Sequence, residues 1–141
     1  MTPEEVVRAF YDAFNRRDFA GSADLFADPC TYESIASGHV SYTPAEIADG
    51  HRAWAAAFPD GHVEMTNVFT AGRYVVVEWS AQGTQTGPLR DEPPSGKKFA
   101  RRGCAVAEVE DGKIVAYRDY FDRLTLNEQL HLGAAAEAPR S

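Results

Sequence analysis

Residues 99–121, FARRGCAVAEVEDGKIVAYRDYF, decide the fold of this chain. At their centre, Asp111-Gly112 favours a tight hairpin turn, because this pair supplies the positive-φ positions that such turns need. The flanking runs are rich in valine, aromatic and small residues, which is typical of strands. The segment therefore predicts two long antiparallel strands, residues 99–109 and 114–121, that pair through this turn.

The chain before this hairpin predicts three further strands. Apolar and polar side chains alternate over residues 63–69, which indicates a half-buried strand. Residues 74–81 are rich in valine and aromatic residues and predict a strand that extends towards Thr86. Residues 30–34 predict an earlier strand, whereas residues 88–98 form a polar, proline-rich loop.

Three helices are predicted in the first part of the chain. Thr2-Pro3-Glu4-Glu5 is a capping box with proline at the first helical position, and the helix that it starts ends within residues 15–18. A short second helix follows and is broken by Asp28-Pro29. Its inward side chains are Phe19, Leu25 and Phe26. The third helix starts near Pro44 with the same capping pattern and stops at residues 59–61.

Helices first and consecutive strands afterwards are typical of an α+β fold. We predict a curved antiparallel sheet wrapped over the N-terminal helices, with one pocket between the two layers. A single domain accounts for residues 1–133, in which residues 124–132 form a short closing helix or an irregular cap. Residues 134–141 are predicted to be a flexible C-terminal tail.

The composition disfavours several classes of protein. Fourteen Lys and Arg residues against twenty-one Asp and Glu residues leave a formal charge of −7, which argues against binding to nucleic acid. Apolar stretches are too short for a membrane span, and residues 1–5 lack the marks of a secretory signal, which favours a cytoplasmic protein. Cys30 and Cys104 are predicted to be reduced, buried thiols. Without metal-ligand spacing or a phosphate-binding loop, the sequence predicts no metal and no cofactor.

Asp119 is the first candidate for chemistry. It shares a strand face with Tyr117 and Phe121, so burial among aromatic rings would raise its pKa and suit it to general acid or base work. The hairpin sets residues near Ala105 opposite Asp119, which brings Arg101 within reach to lower that pKa and to bind an enolate or carboxylate oxygen. In the alternative interpretation, Asp119 is ion-paired and only orders the pocket, and Arg101 extends to the rim.

His51 is the second candidate, because it shares the inward stripe of the third helix with Ile47, Trp54 and Phe58. It is either a proton carrier near neutral pH or a hydrogen-bonded core residue. Aromatic side chains around one pocket predict a flat, apolar small molecule as the ligand. The predicted substrate-binding residues are Phe10, Phe14, Tyr32, Ser34, Trp54, Trp79, Tyr117 and Phe121. The remaining histidines are expected at loop or terminal positions: His39, His62 and His131.

The order of these elements resembles the nuclear-transport-factor-two-like superfamily, and within it the SnoaL-like polyketide cyclases. The segments that carry the resemblance are residues 6–15 (VVRAFYDAFN), 24–28 (DLFAD), 57–60 (AFPD), 83–87 (GTQTG), 110–115 (EDGKIV) and 118–122 (RDYFD). The resemblance implies a cone-shaped sheet closed by helices around one deep pocket. It also implies a homodimer formed through the outer face of the sheet. Small or apolar residues on both faces of the strands at 74–81 and 99–109 are consistent with that dimer.

The resemblance further implies a small cofactor-independent acid/base enzyme that acts on an apolar, carbonyl-bearing substrate by aldol-type ring closure, a reaction for which SnoaL-like cyclases use an aspartate. From its place in the strand, we predict that Asp119 is the acid/base, with Arg101 and His51 to stabilise or relay charge. The first alternative is a non-catalytic small-molecule-binding or dimerisation module of the same fold. The second is an epoxide hydrolase of the limonene-epoxide-hydrolase type, whose catalytic aspartate corresponds to Asp119, with Tyr32 or Gln82 to position water. However, this sequence lacks the Arg-x-Asp segment that an epoxide hydrolase of this type would have within residues 74–82. The ketosteroid isomerases have a tyrosine at the position of Phe10, an aspartate base at that of Ser34 and a protonated aspartate near that of Ala105. All three functional groups are missing here.

Overall fold

The computed structural model of the chain describes residues 1–130, so the predicted tail, His131 and the end of the closing element at 124–132 lie outside the described residues. The helices are α1 (Pro3–Asn15), α2 (Phe19–Ala23), α3 (Pro44–Ala57) and α4 (Arg123–Leu130). The strands are β1 (Phe26–Ser34), β2 (His39–Ser41), β3 (His62–Ala71), β4 (Tyr74–Thr84), β5 (Lys98–Glu110) and β6 (Lys113–Phe121). The predicted α+β class is confirmed.

The six strands form one curved, unclosed sheet in the order β2-β1-β6-β5-β4-β3. The β5–β6 hairpin turns at Asp111-Gly112, as predicted, and both residues have positive φ, 50° and 75°. One pair departs from the expected antiparallel arrangement, because β1 lies parallel to β6. Sequence signals for hairpins report pairs of consecutive strands, whereas β1 pairs with the last strand of the sheet, which no local pattern indicates.

Helices α1 and α3 pack on the concave face of the sheet, and their starts are fixed by capping residues. Glu5 N–H donates to Thr2 Oγ1 at 3.2 Å, and Thr2 N–H donates to Glu5 Oε1 at 2.8 Å, which completes the predicted capping box. In α3, Glu46 N–H donates to Thr43 Oγ1 at 3.2 Å. These caps fix where the two helices begin, and the spacing of their apolar side chains turns one face of each towards the sheet.

The region between α2 and β1 differs from the prediction. Helix α2 ends at Ala23, and Phe26 is the first residue of β1, where it is 2% exposed. The predicted break at Asp28-Pro29 is wrong, since both residues lie within β1, at a shift of the β1–β6 register that tolerates a proline. The three-residue strand β2 was not predicted, because so short a segment shows no alternation.

The core fills the space between the helices and the concave face. Phe58, Ile114 and Leu126 are among its largest fully buried side chains, and burying each one stabilises the fold by about 2 kcal/mol. Cys30 is buried as expected, but the prediction for Cys104 is wrong, since it lies half-buried on the outer face of β5. Within residues 1–130, no helix has the length and apolar character needed to cross a membrane.

Candidate active site

A cavity of about 250 Å³ lies between the concave face of the sheet and helices α1 and α3. All eleven residues named above as catalytic or substrate-binding candidates line it. The structure thus brings together side chains from both helices and from four strands, because the period of each element turns them to one side. Their roles in binding or chemistry stay predictions.

Asp119 lies in the wall of this cavity at the middle of the sheet. Ala105 is its partner on β5, as the hairpin register predicted, and Ser34 is its partner on β1. Trp79 on β4 reaches across the intervening strand, and its Nε1–H donates to Asp119 Oδ1 at 2.8 Å. Gly103 makes this possible, because a Cβ atom there would lie 2.2 Å from Trp79 Cζ2.

The surroundings of Asp119 change its acidity. Burial raises the pKa of this carboxyl from 3.8 to about 6, against the opposing effects of the Trp79 hydrogen bond and the positive charge of Arg101. Among residues 1–130, none of the ion pairs includes Asp119. The carboxylate is therefore held by a neutral donor, and its pKa lies close to neutral pH.

Arg101 lies within the cavity, against three aromatic rings. Its Cζ atom is 4.3 Å from the ring centroid of Phe121, 5.7 Å from that of Trp79 and 5.6 Å from that of Phe99. Cations over aromatic faces are attracted by the ring quadrupole, and this attraction holds the guanidinium close to Asp119. Of the two predicted positions for Arg101, pocket and rim, the structure has the pocket.

Three tyrosines lie together beside Asp119: Tyr11 and Tyr117 are buried, and Tyr32 is half-buried. Tyr32 stacks on Tyr117 with ring centroids 4.7 Å apart and an interplanar angle of 20°. The Tyr117 and Tyr11 hydroxyl oxygens are 2.6 Å apart, so that one hydroxyl donates to the other. Burial raises the pKa of all three phenols well above 10, which keeps them protonated at neutral pH. A pair of hydroxyls joined by one hydrogen bond retains a second proton for another acceptor.

His51 lies on α3 among aromatic rings. Its ring centroid is 4.9 Å from that of Phe14 and 5.9 Å from that of Phe10, and its Nε2 lies 3.3 Å from Tyr32 Oη. Burial lowers the pKa of this imidazole from 6.5 to about 4. His51 is therefore neutral at pH 7, and Nε2 is placed to orient the Tyr32 hydroxyl. Both of its expected roles, proton carrier and hydrogen-bonded core residue, stay predictions.

Several lining residues were missed by the sequence analysis. Tyr11 carries a detectable signal, because it extends the buried face of α1 that includes Val7 and Phe14. His39 was assigned to a loop, but it lies on β2 and lines the cavity. Other cavity residues outside the predicted set include Ser37, Leu89, Arg90, Arg123 and Leu126. These residues come from the turn after β1, the loop between β4 and β5, and helix α4, and no periodic pattern reports that they line the cavity.

Gln82 does not belong to this site. Its side chain is exposed, and its alternation along β4 turns it away from the inward residues Trp79 and Ala81. The expectation that Gln82 positions a water molecule is therefore wrong. Tyr32, the other residue considered for that role, lies in the cavity with its hydroxyl next to His51.

The fold and the cavity define a class of protein, an α+β domain in which a curved sheet and its helices enclose a space for a small molecule. The sequence model of the SnoaL-like polyketide cyclases matches residues 4–130 of this chain. The chain belongs to this family, as its sequence motifs predicted.

Two curated relatives are aklanonic acid methyl ester cyclases from Streptomyces. DauD, from Streptomyces sp. (strain C5), is 27% identical over 139 residues, which cover 92% of this chain and 83% of the relative. DnrD, from Streptomyces peucetius, is 27% identical over 137 residues, which cover 92% of this chain and 90% of the relative. These relatives are similar along nearly their whole length.

Solved structures resemble the chain in fold. A hypothetical protein with a ketosteroid isomerase-like fold from Catenulispora acidiphila, solved in complex with trimethylamine, matches with a TM-score of 0.81 at 24% identity. The match covers 95% of this chain and 97% of the other. This likeness shows the nuclear-transport-factor-two-like architecture and carries no statement about the reaction.

Proposed function

We propose that this protein is a cofactor-independent acid/base enzyme that closes a ring in an apolar, carbonyl-bearing substrate by aldol-type addition. The observation that carries the proposal is the Asp119 carboxylate, which lies in an aromatic cavity, is held by Trp79 Nε1–H at 2.8 Å, and has a pKa of about 6. Such a group is mostly ionised at neutral pH, and it returns a proton readily. Family membership supports the same reaction class.

The reaction begins when Asp119 removes a proton from a carbon next to a carbonyl group. The electron pair left behind forms an enolate, whose carbon adds to a second carbonyl of the same molecule. One carbon–carbon bond forms, and the proton on Asp119 passes to the new alkoxide oxygen. The product has the same atoms as the substrate, and Asp119 is again ionised.

Other groups of the cavity stabilise the charge that develops on oxygen. Arg101, placed over the Phe121 ring, supplies a positive charge near Asp119 for the enolate oxygen. In the Tyr11–Tyr117 pair, one hydroxyl donates to the other, and the second hydroxyl proton is available to donate to the oxygen of the substrate. His51 is neutral and orients Tyr32, so it takes part through hydrogen bonding rather than by carrying a proton.

The proposal is tested by turnover with aklanonic acid methyl ester, the compound that the names of both relatives contain. We expect a product of unchanged mass, and we expect Asp119→Asn to reduce kcat by about 100-fold or more, the usual contribution of a general acid/base. Asp12→Asn, on the exposed face of α1, is the matched control and should leave kcat unchanged. Related diketone esters extend the test if this ester is not turned over.

Three outcomes separate the candidate functions. A product of unchanged mass that depends on Asp119 supports ring closure. Hydrolysis of an epoxide probe, with a gain in mass of one water, would replace it with the epoxide hydrolase alternative. Saturable binding of the ester without conversion, equal in wild type and Asp119→Asn, would leave the non-catalytic binding module.

A further inference from the structure

Tyr32 and His51 form a hydrogen-bonded pair in the wall of the cavity. Tyr32 lies on β1 and His51 on α3, and both side chains line the cavity. His51 Nε2 lies 3.3 Å from Tyr32 Oη, and within residues 1–130 this is the one hydrogen bond of the Tyr32 hydroxyl. A phenol hydroxyl can both donate and accept, so the direction of this bond decides what Tyr32 can offer to a ligand.

The other ring nitrogen of His51 favours one direction. Nδ1 is buried, and among the described residues 1–130 it has no hydrogen-bond partner. The pKa of His51 is lowered by burial to about 4, so at neutral pH the ring is uncharged and only one of its nitrogens carries a proton. A buried N–H group without an acceptor is rare in folded proteins, rarer than an acceptor without a donor. This asymmetry favours the proton on Nε2, which then donates to Tyr32 Oη.

With Nε2–H as the donor, the Tyr32 hydroxyl keeps its own proton for another acceptor. Burial raises the pKa of this phenol well above 10, so the hydroxyl stays protonated at neutral pH. Two neighbours hold the ring, since it stacks on Tyr117 with centroids 4.7 Å apart and meets the His51 ring at 5.4 Å. Tyr32 thus presents a fixed O–H donor in an aromatic wall, which suits an uncharged oxygen acceptor such as a carbonyl.

Asp119 lies between this donor and Arg101. Strand β6, which carries Asp119, has β1 on one side and β5 on the other. Tyr32 on β1 is in register with Tyr117, two residues before Asp119. Arg101 on β5 lies over the ring of Phe121, two residues after Asp119. Two residues span about 7 Å along a strand, so a substrate whose acidic carbon faces Asp119 can direct one carbonyl towards Arg101 and a second one towards Tyr32.

We propose that the Tyr32 hydroxyl binds the second carbonyl of the substrate, the one to which the enolate carbon adds, and that His51 is the positioning residue of this hydroxyl. The inference rests on the proposed function, because it names the group that holds the electrophile in that reaction. As the carbon–carbon bond forms, the carbonyl oxygen becomes an alkoxide, and its hydrogen bond to Tyr32 strengthens. The alkoxide takes its proton from Asp119, and Tyr32 keeps its own.

The experiment compares a ketone with a hydrocarbon of similar shape. The probes are 2-acetylnaphthalene and 2-ethylnaphthalene, which share the apolar rings and differ in the carbonyl oxygen. Both affinities are measured by NMR titration at neutral pH. Trp54 and Trp79 line the cavity, so shifts of their indole N–H signals report entry of the probe. Nuclear Overhauser effects between the acetyl methyl protons and the Tyr32 ring locate the carbonyl group.

We expect the ketone to bind about fivefold more tightly than the hydrocarbon, the usual contribution of one neutral hydrogen bond. Tyr32→Phe removes the hydroxyl but keeps a ring that can stack on Tyr117, and it should reduce this ratio to one or below. Affinity for the hydrocarbon should be unchanged, which checks that the cavity is intact. Tyr42→Phe is the matched control, because Tyr42 is 55% exposed and lies outside the cavity lining, and it should leave the ratio unchanged.

Two measurements test the part of His51. The nitrogen-15 NMR signals of its ring distinguish a protonated nitrogen from a bare one, and we expect the proton on Nε2. His51→Leu should lower the ketone ratio on its own but cause no further loss in Tyr32→Phe, because it acts through that hydroxyl. A merely structural role would instead weaken both probes alike and leave their ratio unchanged.

A ratio that Tyr32→Phe does not change, tighter binding of the hydrocarbon, or a proton on His51 Nδ1 would overturn the inference. Additive losses in the double variant would overturn the role given to His51. None of these measurements uses turnover. A ketone preference that depends on Tyr32 but occurs without ring closure would therefore count against the proposed function alone. Ring closure without such a preference would count against this inference alone.

Discussion

At the scale of single residues, Asp119 combines two opposing effects. Burial in the cavity raises its pKa, while the Trp79 hydrogen bond and the Arg101 charge favour the ionised form. The indole of Trp79 has a donor and no acceptor, so it fixes the carboxylate without exchanging a proton with it. The result is an acid whose two protonation states are close in free energy at neutral pH, as a group that must take and return a proton requires.

This balance predicts that Asp119→Asn stabilises the folded protein at neutral pH. The pKa is about 6 in the folded state and about 3.8 in the unfolded chain, so the ionised carboxylate is disfavoured by folding. Each tenfold difference in acidity corresponds to about 1.4 kcal/mol, which gives an upper limit of about 3 kcal/mol, less for a half-buried group. The comparison is made by urea unfolding of both proteins between pH 4 and pH 8.

The sign of the pH dependence follows from the two pKa values. Well below pH 4, both states are protonated, and the variant and wild type should be nearly equal in stability. As the pH rises from about 4 to about 6, the unfolded chain loses this proton before the folded protein does, so the wild type should lose stability relative to the variant, and above about pH 6 the difference should stay constant. A variant less stable than wild type at pH 8 would contradict the environment assigned to Asp119. Asp12→Asn should show a flat difference throughout.

At the scale of elements, Gly103 on β5 connects the sheet to the site. Its register partners are Trp79 on β4 and Phe121 on β6. Because glycine has no side chain, the indole of Trp79 can lie across β5 and reach Asp119. We predict that Gly103→Ala displaces Trp79, because the added methyl would lie 2.2 Å from its ring and 2.7 Å from the Tyr120 carbonyl oxygen. Overpacking of this kind costs about 1–3 kcal/mol.

Two readouts check this prediction. The free energy of unfolding should fall, and the Trp79 indole N–H signal in NMR should move because its hydrogen bond to Asp119 is lost or lengthened. Gly50→Ala in α3 is the control, since nothing lies within 4 Å of its new methyl and the helix should gain about 0.5–1 kcal/mol. An unchanged indole signal in Gly103→Ala would show that the sheet adapts without moving the tryptophan.

The elements also show what the sequence could predict. Capping boxes, period-two strands and the Asp111-Gly112 turn are local signals, and they gave α1, α3 and the β5–β6 register that sets Ala105 opposite Asp119. The parallel pairing of β1 with β6 joins distant segments, so no local pattern reports it. Some cavity residues were missed for the same reason, because Arg90 lies in the loop after β4 and Arg123 begins α4, and no periodic pattern reports that either residue lines the cavity.

At the scale of the whole molecule, the two faces of the sheet have different surroundings. Helices cover the concave face, whereas the convex face carries a strip of half-buried small and apolar residues. This strip consists of Val76, Cys104, Val106 and Ala116. An ion pair between Arg118 and Glu108, at 3.1 Å, lies beside it, and Tyr120 is 42% exposed at its edge. A sheet with apolar side chains on both faces is more stable when both are covered.

We therefore predict that the convex strip is the interface of a homodimer, as the family resemblance implied. Val106 lies at its centre, in register with Val76 on one side and Arg118 on the other. Val106→Arg would add a second positive charge next to Arg118 at the centre of the strip, so it should shift the protein from two chains to one in sedimentation equilibrium. Ala45→Arg, exposed in the first turn of α3, controls for the added charge and should leave the mass unchanged. A wild-type protein that sediments as one chain at all concentrations would exclude this interface, and it would leave the cavity and its chemistry complete within a single chain.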